Sequence, residues 1–212
     1  MESKNLDNYF HKYIDSHDNA LKNTEVILKN SKRVVNDEGI NYLVDLSNQI
    51  KSVNGCQHFI GNGASMAFAN HMALDWTKNG KVLSQSYTNP SLITAISNDI
   101  SFSDFFSLNI QWFGNPNDLL VTISTSGNSE NIINAIETAK NKSMKIVTFS
   151  GLDSNNRSRN MGDINFYVPA KTYGIVECAH QVLLHLWLDK YMNVNEWDRH
   201  TIQNMNSKNY QL

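Results

Sequence analysis

The sequence contains few cysteines and prolines, and neither sign of charge is in excess. Cys56 and Cys178 are far apart and have neither a CxxC nor a zinc-finger spacing, so the sequence indicates neither a disulfide framework nor a cysteine metal cage. Three of the 212 residues are proline, and 18 Lys and Arg oppose 20 Asp and Glu, which leaves a net charge of −2. Proteins that bind nucleic acid through their charge concentrate Lys and Arg, so we expect no nucleic-acid partner.

Long apolar segments are also missing. No run approaches the roughly 20 residues that cross a bilayer. The first residues, from Met1 to Asn5, lack the apolar stretch of a secretory signal. We therefore expect a cytoplasmic protein without a membrane partner. The hydrophobic content of 41% over 212 residues is sufficient for one structural domain with a buried core.

Short apolar segments alternate with helical patterns from residue 54 onward. This alternation is typical of a parallel sheet covered by helices on both faces, so we predict a three-layer α/β/α fold with five parallel strands in a doubly wound sheet. The predicted strands are Gln57–Ile60, Val82–Tyr87, Leu119–Ser124, Lys145–Phe149 and Ile164–Val168. The predicted helices of this region are Ser65–Lys78, Ser91–Ser97, Ser103–Phe113, Ser129–Ser143 and Gly174–Met192.

Two further helices are predicted ahead of the first strand. Apolar residues recur at three- and four-residue steps from Leu6 to Leu28, and a second helix is predicted from Ile40 to Val53. We expect residues 1–53 to bury an apolar stripe in an oligomer, and an ordinary intramolecular helical cap is the alternative. Residues 54–192 then form the ligand-binding region, and residues 193–212 form a polar tail.

A hydroxyl-rich turn joins the predicted strand Leu119–Ser124 to the next helix. A helix N-terminus offers unpaired N–H groups to an anion, Gly127 lets the backbone approach it, and hydroxyls donate to phosphate oxygens. The turn therefore resembles a phosphate cradle, and its hydroxyls belong to Ser124, Thr125, Ser126 and Ser129. The alternative is plain N-capping of the helix by Ser129.

A second glycine turn, from Gly61 to Ser65, opens the helix after the first predicted strand. Ligands of open α/β sheets bind outside the carboxyl ends of the strands, so both turns are expected at one site. The turn is not a dinucleotide fingerprint, because Met66 stands where GxGxxG requires its third glycine. We therefore expect a phosphosugar rather than NAD.

Four side chains on two predicted helices are compatible with a metal ion. His71 and Asp75 are four residues apart and share a helix face, and Glu177 and His185 are separated by about 80° around their axis. If the helices meet, two imidazoles and two carboxylates form a mixed site for Zn²⁺ or another divalent ion. Each residue alone is more often an ordinary interior or surface group. His180 lies between Glu177 and His185 and is a candidate to support or replace one of them.

Taken together, these motifs resemble the sugar isomerase (SIS) domain, and within it the bacterial phosphoheptose isomerases. The resemblance is carried by Gly61-Asn62-Gly63-Ala64-Ser65 followed by His71, then by Ser97-Asn98-Asp99, and then by the segment from Ile123 to Ser129. It implies a flavodoxin-like sheet and a homotetramer with active sites shared between subunits. It also implies a zinc-assisted conversion of sedoheptulose 7-phosphate into D-glycero-D-manno-heptose 7-phosphate, which feeds heptose synthesis for surface polysaccharides.

The resemblance assigns roles to individual residues. It implies substrate or phosphate binding by Asn62, Gly63, Ser65, Asn98, Asp99, Ser124, Thr125, Ser126 and Ser129. It implies metal binding by His71, Asp75, Glu177 and His185. Because an enediol reaction needs a base and an acid, we assign one proton transfer to Asp75 or Glu177 and the other to His185.

The chain departs from the family pattern in several places. Asp75 stands where the family has Glu, Glu177 where it has Gln, Ala64 where it has Gly, and Gly174 where many members have Asp. Two alternatives therefore stay open. One is an isomerase of another phosphosugar, and the other is a non-catalytic SIS protein that serves as a binding scaffold.

Overall fold

In the computed structural model, which describes residues 8–198, one sheet of seven strands lies between two layers of helices. The strands are β1 Glu25–Leu28, β2 Arg33–Val34, β3 Gln57–Gly61, β4 Ser84–Ser86, β5 Leu119–Ser124, β6 Lys145–Gly151 and β7 Ile164–Val168. The helices are α1 Tyr9–Lys22, α2 Asn36–Ser52, α3 Ala64–Asp75, α4 Pro90–Asp99, α5 Phe105–Phe113, α6 Glu130–Asn141 and α7 Tyr173–Met192. The predicted α/β/α class is confirmed.

The strand order of the sheet is β2-β1-β7-β6-β5-β3-β4. The five strands from β7 to β4 pair in parallel and correspond to the five predicted strands. The predicted total of five is wrong, because β1 and β2 form an antiparallel hairpin that extends the sheet beyond β7.

The hairpin takes up the end of the segment predicted as the first helix. Helix α1 ends at Lys22, and Leu6 lies outside the described residues. Val26 and Ile27 are β-branched and buried, which favours a strand. Ser31 then adopts a left-handed φ of 60° in the turn to β2. Apolar spacing alone does not distinguish a short strand from a last helical turn.

Several helix and strand ends also differ from the sequence prediction. The helix predicted through Lys78 ends as α3 at Asp75 and continues as a π-helical turn, Trp76–Gly80. The strand β4 is shorter than the predicted segment Val82–Tyr87. Of the predicted polar tail, Glu196–Asp198 forms a short 3-10 turn, and residues 199–212 lie outside the described part.

Each face of the sheet has its own apolar core. Helices α2, α3 and α7 pack on one face around Phe59, Trp76 and Trp187. Helices α4, α5 and α6 pack on the other face around Phe105 and Ile110. Burial of such large side chains on both faces supplies the main driving force for this architecture.

The two leading helices pack differently. Helix α2 begins at Asn36 and belongs to the core of its own chain, where Leu43 is fully buried. Helix α1 packs along α7 but leaves Phe10 and Ile14 exposed. The intramolecular alternative therefore describes α2, whereas an oligomer contact by α1 stays a prediction. Among residues 8–198, every helix is too short or too polar to cross a bilayer.

Candidate active site

The two predicted ligand-binding turns lie side by side at the carboxyl edge of the sheet. Strands β3 and β5 are neighbours, with Gly61 opposite Ile123, so the chain leaves both strands at the same level. The side chains of Asn62 and Asn131 exchange two hydrogen bonds of 2.9 Å, which tie the first turn to the first residues of α6. The sheet register and this amide pair together fix the distance between the turns.

Each turn depends on a glycine with a left-handed backbone. Gly63 has a φ of 56° directly before α3, and Gly127 has a φ of 63° two residues before Ser129, the N-cap of α6. At Gly127 a Cβ atom would also collide with the side chain of Asn156. A side chain is disfavoured at both positions, so a ligand can approach the backbone closely there.

The turns enclose a cavity of about 260 Å³ together with two residues of α7, Tyr173 and Glu177. Of the predicted substrate and phosphate residues, the walls contain Asn62, Gly63, Ser65, Ser124, Thr125, Ser126 and Ser129. Asn98 and Asp99 are exposed at the end of α4, hydrogen-bonded to each other at 2.7 Å, and lie outside the walls that residues 8–198 form. Their proposed contact with substrate stays a prediction.

The hydroxyl groups of the cradle have protons available for a ligand. The Oγ1 atom of Thr125 is buried and has no hydrogen-bond partner among the described residues. Ser129 is the N-cap residue of α6, yet within the described chain its hydroxyl makes no capping bond. Ser124 and Ser126 accept backbone N–H groups at 3.2 and 3.3 Å, which leaves their own protons free to donate. This geometry favours anion binding over plain N-capping.

The cavity walls, as far as residues 8–198 form them, contain no Lys or Arg. A phosphate would therefore be held by neutral donors and by the positive end of the α6 dipole. Glu177 is the acidic residue in these walls, and it is half-buried. Its carboxylate forms no hydrogen bond or ion pair with the described part of the chain, so it is available to accept a proton from a ligand.

Three of the four predicted metal ligands come together where α3 packs against α7. The Nε2 atom of His71 lies 3.2 Å from Oδ2 of Asp75. The rings of His71 and His185 have centroids 5.2 Å apart. One donor atom from each of these three residues lies within 4.8 Å of the other two. Two imidazoles and a carboxylate suit Zn²⁺ or a similar divalent ion, so the residues present fit a metal.

Glu177 is separate from this triad, which consists of His71, Asp75 and His185. Its position on α7 is eight residues before His185, a displacement of about 12 Å along the helix axis. In one chain Glu177 therefore lies in the cradle cavity, and its role as a metal ligand stays a prediction.

His180 belongs to the interior rather than to the site. Its ring is fully buried, and one ring nitrogen, Nε2, lies 3.1 Å from the carbonyl oxygen of Ser150. Burial lowers the pKa of His180 to about 4, so the ring is neutral near pH 7. It neither contacts the triad nor replaces one of its members.

Two residues of the site were missed by sequence reasoning. Tyr173 lines the cavity one helical turn before Glu177, and Asn131 holds Asn62. The four-residue spacing between Tyr173 and Glu177 was a signal for the first of these. No sequence pattern pointed to the amide pair, because its partners are 69 positions apart.

Comparison with known proteins agrees with this geometry. The SIS domain profile matches residues 21–151, which is more than half of the chain. The chain belongs to the SIS-domain family. A phosphoheptose isomerase of Buchnera aphidicola is 34% identical over 176 residues, which are 80% of this chain and 88% of that protein. A phosphoheptose isomerase of Helicobacter pylori is 29% identical over 87% of this chain and 94% of its own length.

Solved structures give the same relationship. The phosphoheptose isomerase of Neisseria gonorrhoeae superposes with a TM-score of 0.74 at 29% identity, covering 86% of this chain and 94% of its own. The phosphoheptose isomerase of Francisella tularensis also has a TM-score of 0.74, at 24% identity over 87% and 95% of the two chains, and supports the fold alone. Within the SIS-domain family, the chain therefore belongs with the phosphoheptose isomerases.

Proposed function

We propose that this enzyme interconverts sedoheptulose 7-phosphate and D-glycero-D-manno-heptose 7-phosphate. The observation that carries the proposal is the single cavity that joins the hydroxyl-rich turn, the glycine turn and the unpaired carboxylate of Glu177. Such a cavity offers anion-binding groups and a proton acceptor within the reach of one small molecule. The similarity to phosphoheptose isomerases supports this choice of substrate.

The hydroxyl-rich turn positions the substrate through its phosphate. The hydroxyl of Ser129, which makes no capping bond within residues 8–198, donates to a phosphate oxygen, and the N-terminus of α6 favours the negative charge. An anchored phosphate restricts the orientation of the sugar chain, which lowers the entropic part of the barrier for the later proton transfers.

The reaction moves a proton between the two carbons that the enediol joins. A base removes a proton from C1 of the ketose, and a proton is then delivered to C2 to give the aldose. We assign one transfer to Glu177 or Asp75 and the other to His185. Glu177 is the candidate that already lies in the cradle cavity, and Asp75 and His185 lie in the triad.

The triad of His71, Asp75 and His185 would hold a divalent ion, with zinc as the proposed native metal. When bound, such an ion stabilises negative charge that develops on the sugar oxygens. These three residues also contact one another directly, without an ion. The imidazole of His71 is oriented by Asp75 at 3.2 Å, and the ring of His185 packs edge-on against it.

A homotetramer with shared active sites accounts for the separation of Glu177 from the triad. About 12 Å along α7 separates Glu177 in the cradle cavity from His185 in the triad. A cradle from one subunit and a triad from another would complete the site. We also propose that the product supplies heptose for a surface polysaccharide. The cytoplasmic location expected from the sequence stays a prediction.

The direct test is conversion of sedoheptulose 7-phosphate by purified protein of known metal content, followed by ¹H and ³¹P NMR with and without a chelator. We expect heptose 7-phosphate to form and the chelator to stop its formation. Turnover of a pentose or hexose phosphate alone would instead establish another phosphosugar as the substrate. Absence of both turnover and bound metal would favour the binding scaffold and contradict the proposal.

A further inference from the structure

A segment of the chain behind the phosphate cradle contacts the cradle at several points. This clamp segment, residues 151–160, runs from Gly151 at the end of β6 to the 3-10 turn Arg157–Asn160. None of its residues belongs to the cavity walls that residues 8–198 form. The proposed reaction does not use them either, so any effect of the clamp segment on the reaction acts through the shape of the cradle.

Two carbonyl groups of the cradle accept backbone N–H groups of the clamp segment. The N–H of Gly151 donates to the carbonyl oxygen of Thr125 at 3.1 Å, and the N–H of Ser158 donates to that of Gly127 at 3.0 Å. A trans peptide group is planar, and its carbonyl and its N–H point to opposite sides. Both carbonyl oxygens therefore point toward the clamp segment, and the N–H groups of the residues that follow them point away from it.

The direction of these carbonyl groups matters for an anion. Phosphate oxygens accept hydrogen bonds, so a phosphate site is built from donors. A carbonyl oxygen turned into the cradle would repel the phosphate and would replace a donor with an acceptor. The backbone of Gly127 opposes such a rotation least, because glycine is permissive at its φ of 63°. The bonds from the clamp segment therefore keep the cradle in a form that suits an anion.

Side chains add two further contacts between the cradle and the clamp segment. The Oδ1 atom of Asn128 accepts the backbone N–H of Arg157 at 2.9 Å. The guanidinium of Arg157 forms an ion pair of 2.6 Å with Glu130 in the first turn of α6. Both members of the ion pair are exposed, so it contributes little on its own. The buried part of the clamp segment must supply most of the support.

Asn156 is the buried residue that organises the clamp segment. Its Oδ1 atom accepts the backbone N–H of Arg159 at 3.1 Å and the hydroxyl of Ser158 at 3.2 Å, which makes Asn156 the N-cap of the 3-10 turn. Its Nδ2 group donates to the carbonyl oxygen of Asp153 at 2.7 Å. One side chain therefore fixes the turn from which Arg157 and Ser158 donate to the cradle.

Asn156 also contacts the cradle directly. A Cβ atom at Gly127 would overlap with the carboxamide of Asn156, so this carboxamide lies directly against the α-carbon of Gly127. Asn156 thus acts on Gly127 in two ways, by packing against it and by fixing the turn whose Ser158 N–H binds its carbonyl oxygen.

We propose that Asn156 is a positioning residue for phosphate binding. It holds the clamp segment in the form in which Gly151 and Ser158 keep two cradle carbonyl groups turned away from the phosphate. This inference rests on the proposed function, because it requires an anion in the cradle. Asn156 belongs neither to the described cavity walls nor to the triad, so its loss should weaken substrate binding rather than slow the proton transfers.

The test combines ³¹P NMR titration of the full-length protein with inorganic phosphate and steady-state kinetics with sedoheptulose 7-phosphate. We expect Asn156→Ala to raise the phosphate dissociation constant and KM about tenfold, as for one lost hydrogen bond to a charged group, with kcat within about twofold of wild type. Asn156→Ser keeps a hydroxyl that can cap the turn, so it should raise both constants only about threefold. Circular dichroism verifies that the variants are folded, and Asn156→Ser decides the test if Asn156→Ala does not fold.

Asn165→Ala is the matched control. Asn165 is equally buried, and its Oδ1 atom accepts the N–H of Gly162 at 2.9 Å and the hydroxyl of Thr148 at 2.8 Å. Its Nδ2 group donates to the carbonyl oxygen of Ile27 at 3.0 Å. Asn165 lies near the start of β7, at the edge of the sheet opposite to the cradle. This variant should lose stability and keep the phosphate dissociation constant of wild type.

The possible results separate this inference from the proposed function. Phosphate binding as tight as wild type in the folded Asn156 variants would overturn the inference and leave the proposed function standing. Equal weakening by Asn165→Ala would also overturn it, since lost stability would then explain both effects. If wild type binds no phosphate, both proposals fail. If wild type binds phosphate but does not convert sedoheptulose 7-phosphate, only the proposed substrate is contradicted, and the phosphate titration still decides the role of Asn156.

Discussion

Two histidine–aspartate pairs have similar nitrogen–oxygen distances but lie in different surroundings. His58 and Asp118 are 3.0 Å apart, with side chains 0% and 3% exposed. His71 and Asp75 are 3.2 Å apart, with side chains 47% and 18% exposed. The first pair is inside the sheet, and the second lies on α3 beside His185.

The pairs differ in how many of their polar atoms already have hydrogen-bond partners. Both oxygens of Asp118 accept backbone N–H groups, from Cys56 and Asn115 at 2.7 Å each, and both ring nitrogens of His58 have partners. In the open pair, His71 and Asp75, the atoms that could bind a metal instead lie close to those of a third side chain, His185. The open pair therefore has atoms left to bind a ligand, whereas the ring nitrogens and carboxylate oxygens of the buried pair already have partners.

Breaking the open pair should produce the largest effect. We expect His71→Ala to lower turnover of sedoheptulose 7-phosphate about a thousandfold, since a lost metal removes several kcal/mol of transition-state stabilisation. In the metal-free protein the free energy of unfolding should change by about 1 kcal/mol or less, because the pair is partly solvated. Steady-state kinetics and urea unfolding measure the two effects. Wild-type turnover in this variant would remove His71 from the reaction.

Breaking the buried pair should have the opposite result. We expect His58→Ala to lower the free energy of unfolding by about 3–5 kcal/mol, because it leaves the carboxylate of Asp118 buried without its partner. The turnover number of the folded fraction should stay within a fewfold of wild type. Urea unfolding with the His71→Ala protein as the matched control checks this difference. Equal stability of the two variants would contradict the contrast between the pairs.

The same contrast applies to two serines at helix starts. The hydroxyl of Ser101 accepts the backbone N–H of Ser103 at 3.1 Å, whereas the hydroxyl of Ser129 makes no capping bond within residues 8–198. We expect Ser129→Ala to raise KM about tenfold, since a hydrogen bond to a phosphate is lost, with kcat nearly unchanged. Ser101→Ala should instead lower stability by about 1 kcal/mol and leave KM unchanged. Kinetics and unfolding of both variants separate the roles, and an unchanged KM in Ser129→Ala would remove Ser129 from phosphate binding.

A third histidine, His180, should make the free energy of unfolding depend on pH. Burial lowers the pKa of His180 to about 4, below the ordinary value of about 6.5. Between these values the unfolded chain binds a proton at this position and the folded chain does not, so acid favours unfolding. Stability should fall by about 1.4 kcal/mol per pH unit from this group as the pH decreases from 6.5 to 4. Urea unfolding of His180→Leu should lack this contribution, and an identical pH slope would contradict it.

The sequence was sufficient for the features that depend on local pattern. The five parallel strands, the cradle from Ser124 to Ser129 and the helix face shared by His71 and Asp75 follow from apolar runs, turn residues and 3.6-residue spacing. The β1–β2 hairpin was missed, because Val26 and Ile27 fit a helix and a strand equally well by spacing.

Features that depend on three-dimensional packing were not predictable in this way. That Glu177 lies in the cradle and His185 in the triad depends on where α7 crosses the sheet. The environment of His58 depends on Asp118, which is 60 positions away in sequence. Partners so far apart leave no local pattern in a single sequence.

We propose that the open pair holds a metal required for isomerisation and that the buried pair does not. The most direct measurement is the metal content per chain, together with sedoheptulose 7-phosphate turnover, for wild type, His71→Ala and His58→Ala under conditions where all three are folded. We expect stoichiometric metal and turnover in wild type and His58→Ala, and loss of both in His71→Ala. Metal and turnover that persist in His71→Ala would contradict it.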